Sequence, residues 1–158
     1  MTDANSQLME RAIAEGLEGM RRGDGGPFGA LVAQDGRIVG CGHNRVLARQ
    51  DPTAHAEIEA IRAACAALGR FRLDDCVLFT SCEPCPMCLG AIYWAGLRAV
   101  FYAATRDDAA AAGFADAHLY RELPLAPESR SIPFTRLPRP AAAAAFAEFN
   151  ALPTKRLY

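Results

Sequence analysis

Apolar positions recur at helical spacing near the start of the chain. Leu8, Met9, Ala12, Ile13, Leu17 and Met20 fall on one side of a helix over residues 6–22. Gly23-Asp-Gly-Gly-Pro27 breaks it, and the period then changes. Residues 28–33 (FGALVA) and 37–42 (RIVGCG) read as strands around Gln34-Asp35-Gly36, a hairpin signal because Asp-Gly accepts the positive φ of a tight turn. A polar loop runs to Asp51-Pro52, where Pro52 suits the first position of a helix. Residues 52–68 (PTAHAEIEAIRAACAAL) predict that helix, stopped by Gly69. Residues 76–81 (CVLFTS) predict a buried strand, a Pro-rich turn leads into a helix over 85–95, and residues 99–103 (AVFYA) predict a further strand. The order α-β-β-α-β-α-β, with helices between strands, implies parallel pairing through right-handed crossovers. An α/β sandwich with a mixed sheet follows.

Beyond residue 104 the pattern loosens. An Ala-rich piece over 107–113, a Pro-punctuated stretch over 123–140 and a helix over 141–150 precede the tail. The run Ala141–Ala145 favours helix by propensity. No repeat and no long linker divides the chain, so residues 1–158 are expected to form one domain.

Composition narrows the function. Apolar residues make up 51% and charged residues 22%, a balance that supports a buried core rather than disorder. The net charge is −1, and no basic stripe is present. A chain whose affinity rested on phosphate contacts would carry a basic surplus, so a small-molecule substrate is favoured over tRNA or DNA. Arg21-Arg22 reads instead as the end of the first helix, where cations suit the dipole. No apolar run approaches the ~20 residues of a bilayer span, and the polar, acidic residues 1–20 are unlike a secretory signal. The expected location is the cytoplasm, where clustered cysteines read first as metal ligands rather than disulfides.

The chemistry lies in His55-Ala56-Glu57 and, further on, Pro84-Cys85-Pro-Met-Cys88. Zinc prefers thiolate and imidazole donors, and a catalytic zinc takes three protein ligands and leaves a position for water. Cys85 and Cys88 lie three apart at a helix start, so their sulfurs share a face, and a helix N-terminus favours the thiolate that binds metal. His55 is placed in the first turn of the other helix. Glu57 is the natural general acid and base beside a water whose pKa the metal lowers. The bland alternatives are a structural zinc or a redox pair. Cys82 could supply a structural site's fourth ligand, but the joint pattern favours catalysis, with Cys82 a non-ligand at a strand end. Cys41, Cys65 and Cys76 read as small core residues.

These motifs resemble the cytidine and deoxycytidylate deaminase superfamily, whose nucleobase-deaminating members carry the H-x-E and P-C-x-x-C signature. The segments Gly25-Gly-Pro-Phe-Gly29, Ala99-Val-Phe-Tyr-Ala-Ala104, Ala112-Gly-Phe114 and the closing Tyr158 are similar to bacterial guanine deaminases within it. The resemblance implies a three-layer α/β/α sandwich with a mixed central sheet, one zinc per subunit on His55, Cys85 and Cys88, and Glu57 as proton shuttle. It implies hydrolysis of guanine to xanthine and ammonia. Ammeline, isocytosine, cytosine or guanosine are alternatives, tRNA adenosine is disfavoured, and a non-enzymatic zinc module is disfavoured most. It further implies Asn44, Phe28, Ala56 and Trp94 as substrate contacts and Asp116 as a second proton shuttle. Tyr158 would reach the partner's site in a homodimer whose arm, about residues 138–158, is domain-swapped. Taken alone, Asn44 reads as a turn residue, Phe28 and Trp94 as core, Asp116 as a loop aspartate or cap, and Tyr158 as a frayed end.

Overall fold

The computed structural model describes residues 3–114 and 116–157. Two segments fold as separate compact units, Met1–Ala117 and His118–Tyr158. The first contains helix α1 (Asp3–Arg21), the hairpin of β1 (Gly29–Gln34) and β2 (Arg37–His43), the short α2 (Val46–Arg49) and α3 (Ala56–Leu68). It continues through β3 (Cys76–Cys82), α4 (Pro86–Ala95), β4 (Ala99–Ala104) and α5 (Arg106–Ala111).

The hairpin turn forms where Asp-Gly predicts it, with φ of 47° at Asp35 and 77° at Gly36. The sheet order is β2-β1-β3-β4, with β1 antiparallel to both its neighbours and β3 parallel to β4. The sheet is mixed, as expected, but the helix between β2 and β3 does not make them neighbours. Both run in one direction with β1 inserted between them.

Helices cover both faces. Leu31 and Ala33 of β1 and Phe79 of β3 pack with Met9 and Ala12 of α1. Ala30, Val32 and Leu78 point the other way, onto Ala56, Ala60 and Ala64 of α3 and Ile92 of α4. Burial on both faces is why β1 reads as a continuous apolar run rather than an alternating one. The small side chains of α3 let it lie directly on β2. A Cβ at Gly42 would stand 2.5 Å from Glu59 Cβ and 2.7 Å from the Ala60 nitrogen.

Three expectations are corrected. Helix α3 begins at Ala56, not Pro52, and His55 is its N-cap with an extended backbone, not a first-turn residue. The reason is an Asx-type turn: Asp51 Oδ1 accepts from the Thr53 N–H at 2.8 Å and from Thr53 Oγ1 at 2.7 Å, diverting the chain from helix. The polar loop before it contains α2, which has no buried residue and so no apolar signature. Of the three cysteines assigned to the core only Cys76 is buried; Cys65 is half-buried, and Cys41 is exposed on the edge strand β2.

A polar cluster joins the start of β3 to the end of β1. Asp75 accepts from Arg70, from the Cys76 thiol at 3.3 Å and from Gln34 Nε2 at 2.8 Å. The Arg70 bond, then the Cys76 bond, holds its carboxyl down at about 2. A carboxyl lowered on folding adds stability that is present above its ordinary value and lost as pH falls through the folded one. Asp75→Asn is therefore expected to be less stable than the unchanged protein at pH 6, with the gap closing between pH 4 and pH 2. Urea unfolding at a series of pH values measures this. The Arg70–Asp75 pair is solvent-exposed, so salt should also narrow the gap.

The second unit contains the end of α6 (Ala117–Glu122), a 3-10 turn (Pro127–Ser129) and α7 (Pro140–Ala151). Arg130 donates to the Leu125 carbonyl at 3.2 Å and stacks 4.9 Å from the Phe134 ring centroid. No residue of α7 is buried, and Leu137, Phe146 and Leu157 are 74%, 73% and 76% exposed. Among the described residues no helix is long and apolar enough to cross a membrane.

Candidate metal centre and substrate site

Two helix N-termini meet at one point. His55 caps α3 and Cys85 caps α4, both with extended backbones. Their side chains face each other, and Cys85 also bonds Cys88 in the first turn of its own helix. Pro86 at the first position of α4 fixes the turn out of β3 and sets Cys88 one turn on. Cys85 Sγ and Cys88 Sγ each lie 3.5 Å from His55 Nδ1, and the three donor atoms lie within 4.8 Å of one another. Cys88 is fully buried, and the other two are half-buried.

The electrostatics suit a cation. The Cys85 thiol is lowered to about 4, chiefly by the hydrogen bond with Cys88, against burial and with His55 assisting. That same bond and burial push Cys88 upward. His55 is raised by its bond to Cys85, against burial, with the charges of Cys85, Glu57 and Asp116 adding to it. Cys85 thus favours its thiolate while Cys88 and His55 hold their protons against it, and a metal ion displaces those protons. One imidazole and two thiolates are the donor set of an open zinc site, with room for a non-protein ligand. Zinc fits.

Glu57 stands beside the donors without joining them. It is buried in the first turn of α3, and its Oε2 accepts from Cys88 Sγ at 3.4 Å. Burial, before any other cause, pushes its carboxyl above the usual range, which suits a group that must take up and release a proton. Cys82 donates to the Thr105 carbonyl at 3.4 Å and stands outside the donor group, as expected of a non-ligand.

The remaining candidates separate into two sets. Asn44 is buried, and its Oδ1 accepts the N–H groups of Gly26 and Val46, each at 3.3 Å. Those two donors fix which way the amide points, with Oδ1 toward them. The approach demands glycine at 25, where a Cβ would stand 2.1 Å from Asn44 Oδ1. Phe28 packs against the core and meets Phe114 edge-on, centroids 4.9 Å apart at 84°. Ala56 is buried at the start of α3, between His55 and Glu57. Asp116 precedes α6, close enough for its charge to act on His55. Trp94, by contrast, is 67% exposed, and the buried face of α4 is formed by Cys88, Ile92 and Ala95. Tyr158 lies outside the described residues.

Two contributors escaped the sequence reading. Phe114 meets Phe28 from far along the chain, and nothing local signals it. Gly25 looked like a helix breaker, whereas its lack of a side chain also admits Asn44.

Residues 2–104 match the cytidine and deoxycytidylate deaminase zinc-binding region. The chain belongs to the cytidine and deoxycytidylate deaminase family. Within this family, guanine deaminase of Bacillus subtilis (strain 168) is 57% identical over 127 residues, covering 80% of this chain and 81% of the relative. A crystal structure of guanine deaminase from Bacillus subtilis superposes with a TM-score of 0.95 at 48% identity, covering 100% of this chain and 99% of that one. The tRNA-specific adenosine deaminase of Agrobacterium fabrum is 42% identical over 99 residues, 63% of this chain and 64% of the relative. The family's zinc-binding region is the part of this chain that carries His55, Cys85 and Cys88.

Proposed function

We propose that the protein hydrolyses guanine to xanthine and ammonia. The observation that carries this is the extent of the likeness: the guanine deaminase structure matches the whole chain, His118–Tyr158 included, whereas the tRNA adenosine deaminase covers 63% of it. A near-neutral charge fits a small base better than a polyanion.

His55, Cys85 and Cys88 would hold the zinc, which when bound lowers the pKa of a water and polarises it toward attack. Glu57 takes one proton from the attacking water and delivers it to the ring nitrogen beside the amino carbon. It then takes the remaining hydroxyl proton and delivers it to the amine as the C–N bond breaks, the carbonyl forms and ammonia leaves. Its buried carboxyl is suited to both directions of transfer. Asn44 donates from Nδ2 to an acceptor on the base edge, next to the backbone of Ala56. Phe28 and Phe114 offer ring edges to a flat heterocycle. Asp116 assists the amine's departure as a second carboxylate.

In this reading the protein acts as a homodimer. Residues 118–158 form an arm that lies on a second copy and brings Tyr158 to its site, starting earlier in the chain than residue 138. The exposed apolar side chains of α7 support this, as does charge. The arm carries six Lys and Arg against three Asp and Glu, while the preceding residues carry eleven against fifteen. Trp94, exposed on α4, is suited to a contact across the dimer. Six free cysteines accord with a reducing cytoplasm.

Ammonia release from guanine, guanosine, cytosine, ammeline and an adenosine-containing tRNA tests the substrate. Guanine turned over no faster than the rest would sink the proposal, and selective attack on the tRNA would favour the family's other activity. Deleting Tyr158 is expected to impair guanine turnover at least about tenfold, the worth of one well-placed contact, with fold and zinc content intact. Full activity in that truncation would remove Tyr158 from the site.

A further inference from the structure

Asn44 stands where three segments meet: the end of β2, the α1–β1 loop and the start of α2. Its Oδ1 is taken by Gly26 and Val46, and its own N–H donates to the Phe28 carbonyl at 2.9 Å. The two segments that supply those Oδ1 donors are fastened through Asp24. The Asp24 N–H donates to the Gly19 carbonyl of α1 at 3.1 Å, and the Asp24 carbonyl accepts from Leu47 at 3.2 Å and Ala48 at 3.0 Å in α2. The Asp24 carboxylate lies 2.9 Å from His43 Nε2 and 3.1 Å from Arg22 Nε. His43, then Arg22, holds that carboxyl below its ordinary value. Arg22 Nη2 is also 3.2 Å from His43 Nε2. At the other side of the ring, His43 Nδ1 is 3.0 Å from Glu15 Oε1 of α1. The ring is buried, and its Cδ2 sits where a Cβ at Gly19 would be 2.2 Å away.

We infer that His43, tied to Glu15 and Asp24, is a positioning residue for Asn44. It touches no substrate. The ring binds α1 to the α1–β1 loop immediately behind Asn44 and fixes the glycine-rich stretch Gly23–Gly26, which has little stiffness of its own. With that stretch fixed, the Gly26 and Val46 N–H groups stay on Asn44 Oδ1, and turning the amide over would set its NH2 against two donors. Asn44 then presents Nδ2 in one orientation. Without the His43 tie the loop relaxes, both hydrogen bonds to Oδ1 weaken, and the amide loses its fixed direction. The kinetic consequence rests on the guanine reading; the structural one rests on these contacts alone.

The test uses full-length, zinc-loaded protein. His43→Gln can serve one carboxylate but not both, and it is expected to raise KM for guanine about tenfold, with kcat within about twofold and zinc content unchanged. In an Asn44→Ala background the same substitution should add nothing, because the two residues act as one unit. An unchanged KM, or an equal rise in both backgrounds, overturns the inference. A second readout needs no substrate. In 15N-labelled protein the side-chain amide resonances of Asn44 should move or broaden in His43→Gln, and identical resonances in both proteins overturn the inference. Failure of the unchanged protein to turn over guanine would instead overturn the substrate assignment, leaving the amide resonances to decide the role of His43.

Discussion

Glu57→Gln is expected to retain the full zinc content of the protein while reducing deamination by roughly 10^2–10^4-fold, the usual worth of a positioned general acid and base. The amide has nearly the same shape, so the first turn of α3 and the packing around Cys88 should survive. What it lacks is the ability to accept a proton. Glu57 Oε2 accepts from Cys88 Sγ at 3.4 Å and burial raises its carboxyl, which is the placement the proposed proton transfer requires. Metal analysis and ammonia release on one preparation separate the two roles. Loss of zinc together with activity would make Glu57 a ligand instead.

Cys88→Ala is expected to go further and remove both metal and activity. Outer-shell substitutions at metal sites already cost about 10–100-fold in affinity, and removing a ligand should exceed that. Cys88 is fully buried in the first turn of α4, and alanine there deletes only the sulfur. The chain should still fold, with a loss of about 1 kcal/mol or somewhat more from the small cavity. A chelator should lower the melting temperature of the unchanged protein, because an ion bound only to the folded state stabilises it by mass action, and should leave the variant unmoved. Zinc bound stoichiometrically to Cys88→Ala would exclude Cys88 as a ligand and reopen the place of Cys82.

The metal donors were legible because their spacing is local. Cys85 and Cys88 share a face through one turn of helix wherever that helix lies, and His55 and Glu57 stand two residues apart at a helix start. The hairpin was legible for the same reason, since Asp35-Gly36 needs only its own backbone freedom. Boundaries were less so. The Asp51–Thr53 turn outweighed the preference of Pro52 for a first helical position, and this moved His55 from the first turn to the cap.

What the sequence alone determined, then, is the donor set His55, Cys85 and Cys88 with Glu57 beside it, and an α/β sandwich with alternating helices and strands. These follow from periodicity and from spacings of two or three residues within each motif, which the backbone enforces without help. Tertiary structure decided the rest. It inserted β1 between β2 and β3, put Phe114 on Phe28, left Trp94 on the surface of α4, and turned Asn44 by way of Gly25, His43 and Asp24. Each of those depends on side chains meeting across elements far apart in the chain. Their positions are set by how helices and strands pack, and no local pattern of residues encodes that.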